Sequence, residues 1–68
     1  MNNNLIGYRK MLKLTQGDMA DKLGIDRGWY QKKETGQRDF SQTEIEIIMK
    51  LLKENRPNLT VEEVFLRN

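Results

Sequence analysis

The sequence contains no cysteine and no histidine among its 68 residues. Without cysteine, a disulfide framework and a thiolate metal site are both excluded. Without histidine, the chain lacks the commonest general base and the commonest metal ligand of proteins. Its carboxylates form no recognisable acid/base pair. We therefore expect no metal, no other cofactor and no enzymatic activity.

Long apolar segments are also missing, since no run approaches the ~18 apolar residues of a membrane span. The first residues, Met1 to Asn4, lack the charged-then-apolar layout of a signal peptide. We therefore expect a cytoplasmic protein that does not associate with membranes. At 37% hydrophobic residues, the chain is too apolar for disorder, and its length predicts one domain over residues 1–68. Without disulfides or a metal, such a small domain depends on packed helices, on oligomerisation or on both.

The charge of the chain is unevenly distributed. Eight basic and four acidic residues give residues 1–38 a net charge of +4, whereas four basic and six acidic residues give residues 39–68 a net charge of −2. This asymmetry fits an anionic partner such as nucleic acid. An ordinary mixed surface explains the charge equally well.

Helical spacing of apolar residues predicts an all-α fold of four or five short helices and no strand. The predicted ranges are 4–13, 16–23, 27–34, 42–54 and 61–66. Thr15 and Asp26 are expected to cap the second and third helices with their side chains. Ser41–Glu44 and Thr60–Glu63 have the spacing of capping boxes before the last two. The predicted core comprises Met19, Leu23, Ile25, Tyr30, Ile45, Ile48 and Leu52, with an inward stripe of Leu5, Tyr8, Arg9 and Leu12 on the first helix.

Residues 15–36 have the layout of a helix-turn-helix. Small Ala20 allows the two helices to cross closely, Gly24 turns the chain, and Ile25 plugs the turn into the core. The third helix then projects polar side chains outward, where a DNA groove can receive them.

The segment from Gln16 to Arg38 resembles the Cro/C1-type (XRE-like) helix-turn-helix family, and the resemblance extends over roughly residues 5–52. The matching residues are Arg9, Thr15-Gln16, Met19-Ala20, Leu23-Gly24-Ile25 and Glu34-Thr35-Gly36. The resemblance implies a lambda-repressor-like DNA-binding domain. It also implies a transcriptional regulator of phage or prophage type that binds a short, palindromic operator in double-stranded DNA.

The resemblance also implies roles for single residues. Gln16 would contact a phosphate at the start of the second helix. Arg27, Gly28 and Lys32 occupy base-facing positions, and Arg27 could pair bidentately with guanine. The phosphate backbone would pass Lys33, Gln37 and Arg38. Arg9 and Glu34 match a structural ion pair between the first and third helices. For Gln16, Arg27 and Lys32, a solvated surface side chain remains the alternative.

Three residues depart from the family pattern. Gly28 offers no side chain to a base, and a glycine inside a helix costs about 1 kcal/mol relative to alanine. Lys33 stands where the family often has an apolar residue against the core. Trp29 stands where a small polar residue is usual. Its indole could contact DNA, anchor a partner protein, or rotate inward to replace the apolar contact missing at Lys33.

Trp29 opens a second hypothesis. The small size, the modest charge and the Gly28-Trp29-Tyr30 run resemble small Cro-like phage modulators, which implies an anti-repressor that binds the DNA-binding domain of a partner repressor. Trp29 would then be buried in the complex, with Arg27 and Lys32 around it.

A second apolar surface is predicted near the C-terminus and comprises Ile47, Leu51, Val64, Phe65 and Leu66. It could form a homodimer that places two recognition helices about 34 Å apart, the spacing of successive major grooves. Alternatively, the last helix folds back and covers Ile47 and Leu51 within one chain.

Overall fold

The computed structural model describes residues 4–65, and within that range it contains helices and no strand. The helices are α1 (Leu5–Met11), α2 (Gln16–Leu23), α3 (Arg27–Glu34), α4 (Gln42–Lys53) and α5 (Val61–Phe65). The predicted all-α class is confirmed, and the bounds of α2 and α3 agree with the prediction. Helices α1 and α4 end earlier than predicted. The predicted end of α5, at Leu66, lies outside the described residues.

Side-chain caps define where α2, α3, α4 and α5 begin. Thr15 Oγ1 accepts a hydrogen bond from the Asp18 N–H (3.0 Å), and Asp18 Oδ2 accepts one from the Thr15 N–H (2.8 Å). This capping box was not predicted, because aspartate rather than glutamate occupies its third helical position. The hydrogen bonds from Thr15 hold the pKa of Asp18 below its usual value. Asp26 Oδ2 caps α3 by accepting from the Gly28 N–H (2.9 Å).

The two predicted capping boxes are also formed. At the start of α4, Ser41 Oγ accepts from the Glu44 N–H (3.1 Å) and Glu44 Oε1 accepts from the Ser41 N–H (2.8 Å). Thr60 and Glu63 exchange the same pair of bonds at the start of α5 (3.2 and 2.9 Å). Each box satisfies N–H groups that a helix leaves without a partner in its first turn.

A single core lies between the helices. Its fully or largely buried apolar residues are Leu5, Met19, Ala20, Tyr30, Ile48, Met49, Leu52, Leu59 and Val64. Of the predicted core, Leu23, Ile25 and Ile45 are only partly buried and pack against its edge. On α1, Leu5 and Arg9 are buried and Tyr8 is half-buried, as is Leu12 directly after the helix.

Helix α5 folds back onto α1. Val64 is fully buried, and its carbonyl accepts a hydrogen bond from the Asn4 N–H (2.9 Å). The Asn4 side chain donates to the Glu63 carbonyl (2.8 Å). The prediction that Val64 belongs to an open apolar surface is therefore wrong, because its side chain completes the core of its own chain. The homodimer stays a prediction.

Aromatic contacts link α5 to α3 as well. The Phe40 ring lies 6.0 Å from the Tyr30 ring and 5.5 Å from the Phe65 ring, measured between centroids. The loop before α4 therefore joins α3 to α5 through Phe40. The Phe40–Phe65 pair is edge-to-face, and such a pair adds stability beyond the apolar area that it buries.

The backbone conformations of two glycines predict opposite effects of substitution by alanine. A Cβ added to either Gly7 or Gly24 would meet no other atom within 4 Å, but Gly24 has a φ of +70° and Gly7 is helical. Gly7→Ala should therefore stabilise the domain by up to about 1 kcal/mol. Gly24→Ala should destabilise it by about 1 kcal/mol, because an L side chain is strained at that φ. Urea denaturation of both variants measures the two changes, and a stabilised Gly24→Ala would contradict the backbone argument.

Candidate nucleic-acid interface

Helices α2 and α3 form the helix-turn-helix, and its turn is fixed by backbone hydrogen bonds. The N–H of Gly24 donates to the Asp21 carbonyl (3.2 Å) and that of Ile25 to the Ala20 carbonyl (3.0 Å). These bonds set the direction in which α3 leaves the turn. On the side of α3 that faces the core, Tyr30 and Glu34 are completely buried. Gly28, Trp29 and Lys32 are exposed on its opposite side, and Arg27 is exposed in its first turn.

The inner side of α3 is held by a buried network around the Glu34 carboxylate. Its Oε2 accepts from Arg9 Nε (2.8 Å) and from the Tyr30 hydroxyl (2.7 Å). Its Oε1 accepts from Gln16 Nε2 (2.9 Å) and Arg9 Nη2 (3.3 Å). Arg9 Nη1 also donates to the Leu14 carbonyl (2.8 Å). The structure therefore brings Arg9 and Glu34 together, as the family resemblance implies, and adds Gln16 and Tyr30.

This network sets the ionisation of its members. Burial acts to raise the pKa of Glu34, but the hydrogen bonds from Arg9, Gln16 and Tyr30 and the charge of Arg9 outweigh it, so that this pKa lies below its usual value. Burial, together with the hydrogen bond to Glu34 and the charge of Glu34, raises the pKa of Tyr30. At neutral pH the network therefore consists of a carboxylate, a guanidinium and a neutral phenol.

The stability of the domain should fall at acidic pH and, because the pKa of Tyr30 is raised, again at strongly alkaline pH. A lowered folded-state pKa means that the stability contributed by Glu34 is fully present above the ordinary value of 4.5 and is lost as the pH falls through the folded-state pKa. Between about pH 5 and 8, no side chain with an ordinary pKa titrates, because the chain has no histidine. Thermal unfolding across pH should give a plateau followed by an acid decline. The decline should be shallower in Glu34→Gln; equal slopes would show that other carboxylates carry it.

Gln16, in the first turn of α2, is half-buried and donates one amide hydrogen to Glu34. An amide group has a second hydrogen, which remains a possible donor. The phosphate contact of Gln16 stays a prediction, and its side chain is oriented by the network below it.

Lys33 points inward to the start of α4. Its ammonium lies 2.6 Å from Glu44 Oε1, and its side chain is only 11% exposed. Burial acts to raise the pKa of Glu44, but the hydrogen bonds from Lys33 and Ser41 outweigh this and lower it. The lysine thus replaces an apolar core contact by an ion pair with a capping-box residue. Its phosphate contact stays a prediction from the family resemblance alone, and its ammonium is bound to Glu44 in this structure.

Arg27 and Gly28 form the first turn of α3, at the exposed surface. The Arg27 stem passes α2, since a Cβ built on Gly17 would lie 4.0 Å from Arg27 Cδ. A Cβ on Gly28 would lie 3.1 Å from Asp26 Oδ2, the oxygen that caps the helix. The absence of a side chain at Gly28 therefore gives the Asp26 cap room.

Trp29 lies on the outer side of α3 and is 40% exposed. The interpretation that it rotates into the core is therefore wrong, because the inward position is occupied by Lys33 and its ion pair. Its indole is flanked by two cations: Arg38 Cζ lies 4.8 Å and Lys32 Nζ 5.5 Å from the ring centroid. Sequence reasoning missed this cluster because Arg38 lies beyond the end of the helix.

The described part of the chain shows neither a cluster of metal ligands nor a membrane-spanning helix. Residues 4–65 hold no group of three or more acidic side chains that is arranged to bind a metal ion. None of the helices in that range has the length and apolar character to cross a membrane.

The fold and the exposed side of α3 together define a helix-turn-helix protein. The family model described as Helix-turn-helix matches residues 5–64. The chain therefore belongs to this helix-turn-helix family, of the Cro/C1 type, and is a DNA-binding transcription regulator. No curated protein and no solved structure matches the chain.

Proposed function

We propose that this regulator is of phage or prophage type and recognises a short operator with the exposed side of α3. Arg27 in the first turn faces the base edges together with Gly28, and Lys32 lies one turn further on. Gln37 and Arg38, after the helix, meet the phosphate backbone, as does Gln16 in the first turn of α2. Lys33 takes no part, because its ammonium is held by Glu44. The bases read by Arg27 set the specificity.

The observation that supports this proposal is the contrast between the two sides of α3. The inner side is fixed by the fully buried Tyr30 and Glu34, whereas Arg27, Lys32 and Arg38 are all exposed. A rigid helix with an exposed cationic side fits the major groove, and a fixed orientation lowers the entropic cost of docking.

The test is a gel-shift titration of the purified protein against its own promoter region at about 50 and 200 mM salt. We expect saturable binding that weakens by more than about tenfold between the two conditions, because each neutralised phosphate contributes about −0.9 to the salt slope. Binding that is absent at the lower salt concentration would contradict the proposal.

An anti-repressor is the second candidate, and the observation that favours it is the exposed indole of Trp29. Tryptophan with a flanking arginine is a common anchor in protein interfaces. A titration that includes the neighbouring repressor separates the candidates. Release of the repressor from its operator, without a shift by this protein alone, would favour the anti-repressor.

A further inference from the structure

The most distinctive feature of the exposed surface is the indole of Trp29 with two cations against it. We propose that Trp29 is a positioning residue, whose indole holds the Arg38 guanidinium beside the end of α3 so that its N–H groups meet a DNA phosphate. This inference rests on the proposed function and adds a residue that the family pattern does not supply.

The backbone brings Arg38 back to Trp29. Gly36 adopts a φ of +91° at the end of α3. The N–H of Gln37 then donates to the Lys32 carbonyl (2.8 Å), and that of Gly36 to the Lys33 carbonyl (3.3 Å). These two bonds make a Schellman motif. The Arg38 N–H also donates to the Lys32 carbonyl (3.2 Å), which fixes its backbone beside the last turn of α3.

The side chains then meet on one side of the helix. Trp29 and Lys32 are three residues apart, so they are neighbours on the helix surface. Both cations lie within the ~6 Å over which an aromatic ring attracts a positive charge. Lys32 and Arg38 are therefore held near each other by the same indole, although their charges repel.

Arginine can stack on a ring and bind a phosphate simultaneously. Its planar guanidinium contacts aromatic faces with its own face and donates hydrogen bonds from its edge. The contact with Trp29 thus leaves donors for an anion. An arginine that is already ordered loses less rotamer freedom when the phosphate binds, so the contact should strengthen DNA binding without touching DNA.

The test is a double-mutant cycle on a mixed-sequence DNA duplex at low salt, followed by fluorescence anisotropy of the labelled DNA. A phosphate contact carries no sequence information, so any duplex reports it. Trp29→Leu keeps an apolar side chain without the aromatic face. Trp29→Phe keeps an aromatic face and is the matched control.

We expect Trp29→Leu to weaken binding about two- to fivefold, which is the effect of losing one exposed cation–π contact. Trp29→Phe should lose less. In an Arg38→Ala background, Trp29→Leu should have no further effect. A purely structural role would not produce this dependence on Arg38, and thermal unfolding of each variant shows whether the fold is intact. Since Trp29 is the only tryptophan, its emission in the free protein should also change in Arg38→Ala.

Three outcomes would overturn the inference. Equal weakening by Trp29→Leu with and without Arg38 would mean that the indole contacts DNA directly. Unchanged affinity for DNA in Trp29→Leu would mean that the indole has no role in DNA binding and would favour a contact with a protein partner. If the wild-type protein itself fails to bind any duplex, the proposed function fails and this inference falls with it, whereas the first two outcomes leave DNA binding intact.

Discussion

Replacing Glu34 by alanine should destabilise the domain by about 3–5 kcal/mol. The substitution removes the acceptor of Arg9, Tyr30 and Gln16 together and leaves the Arg9 guanidinium buried without its counter-charge. Breaking a buried ion pair by removing one partner costs about 3–5 kcal/mol. That is a large part of the total stability of a domain, which is about 5–15 kcal/mol.

Thermal unfolding followed by far-UV circular dichroism measures this effect. The midpoint should fall by about 15 °C or more in Glu34→Ala. Glu46→Ala is the matched control, because Glu46 is an exposed glutamate of α4, and it should change stability by about 0.5 kcal/mol or less. A Glu34→Ala midpoint near that of the control would show that the network is not needed for folding.

A double variant tests whether the charges or the shape of the network matter. Arg9→Met with Glu34→Leu removes both charges while keeping side-chain volume. Apolar replacement of a whole buried ion pair is often neutral or stabilising. We therefore expect the double variant to be more stable than Glu34→Ala, although the hydroxyl of Tyr30 would lose its acceptor. A double variant less stable than Glu34→Ala would indicate that the ionic hydrogen bonds themselves hold the helices.

Replacing Arg27 by alanine should abolish recognition at one base pair of the operator while the fold is retained. Arg27 is exposed at the first helical position of α3, where the recognition helices of this class contact bases. A bidentate arginine–guanine contact provides about 1–3 kcal/mol of discrimination against the wrong base. The preference of the wild type at that base pair should therefore fall by about tenfold or more in the variant.

Affinities for a set of operators with single base-pair changes provide the measurement. Lys50→Ala, which removes an exposed cation of α4, is the control and should keep both affinity and specificity. Uniform weakening across all operators in Arg27→Ala would instead assign Arg27 to a phosphate, since phosphate contacts do not distinguish sequences.

Much of the fold could be predicted from the sequence because the start of each capped helix is set by residues only two or three positions apart. Thr15, Asp26 and Ser41 accept hydrogen bonds from N–H groups two or three residues further along the chain. Such bonds depend on residue type and spacing alone. The left-handed conformation of Gly24 is local in the same sense. The helix-turn-helix and its family could therefore be identified before the structure.

The candidate site was predicted less completely, because its contacts join residues that are distant in sequence. Gln16 and Glu34 lie on different helices, and their hydrogen bond depends on how α2 crosses α3. The ion pair of Lys33 with Glu44 also joins two helices, so the sequence indicates only that position 33 lacks an apolar residue. Tyr30 and Glu34 are four residues apart on α3, and that spacing was an available but unused signal.

The sequence by itself determined where α2 to α5 begin, how the turn between α2 and α3 is made and which family the chain resembles. Capping and glycine conformation act over a few residues, so they can be predicted from residue type and spacing. Only the tertiary structure decided that Val64 of α5 packs into the core, that Lys33 turns inward and that Trp29 stays outside with Arg38 against it. These three results depend on which surfaces remain once the helices have packed. Buried charges find partners and apolar side chains find contacts on other helices, so both depend on the whole domain rather than on one helix.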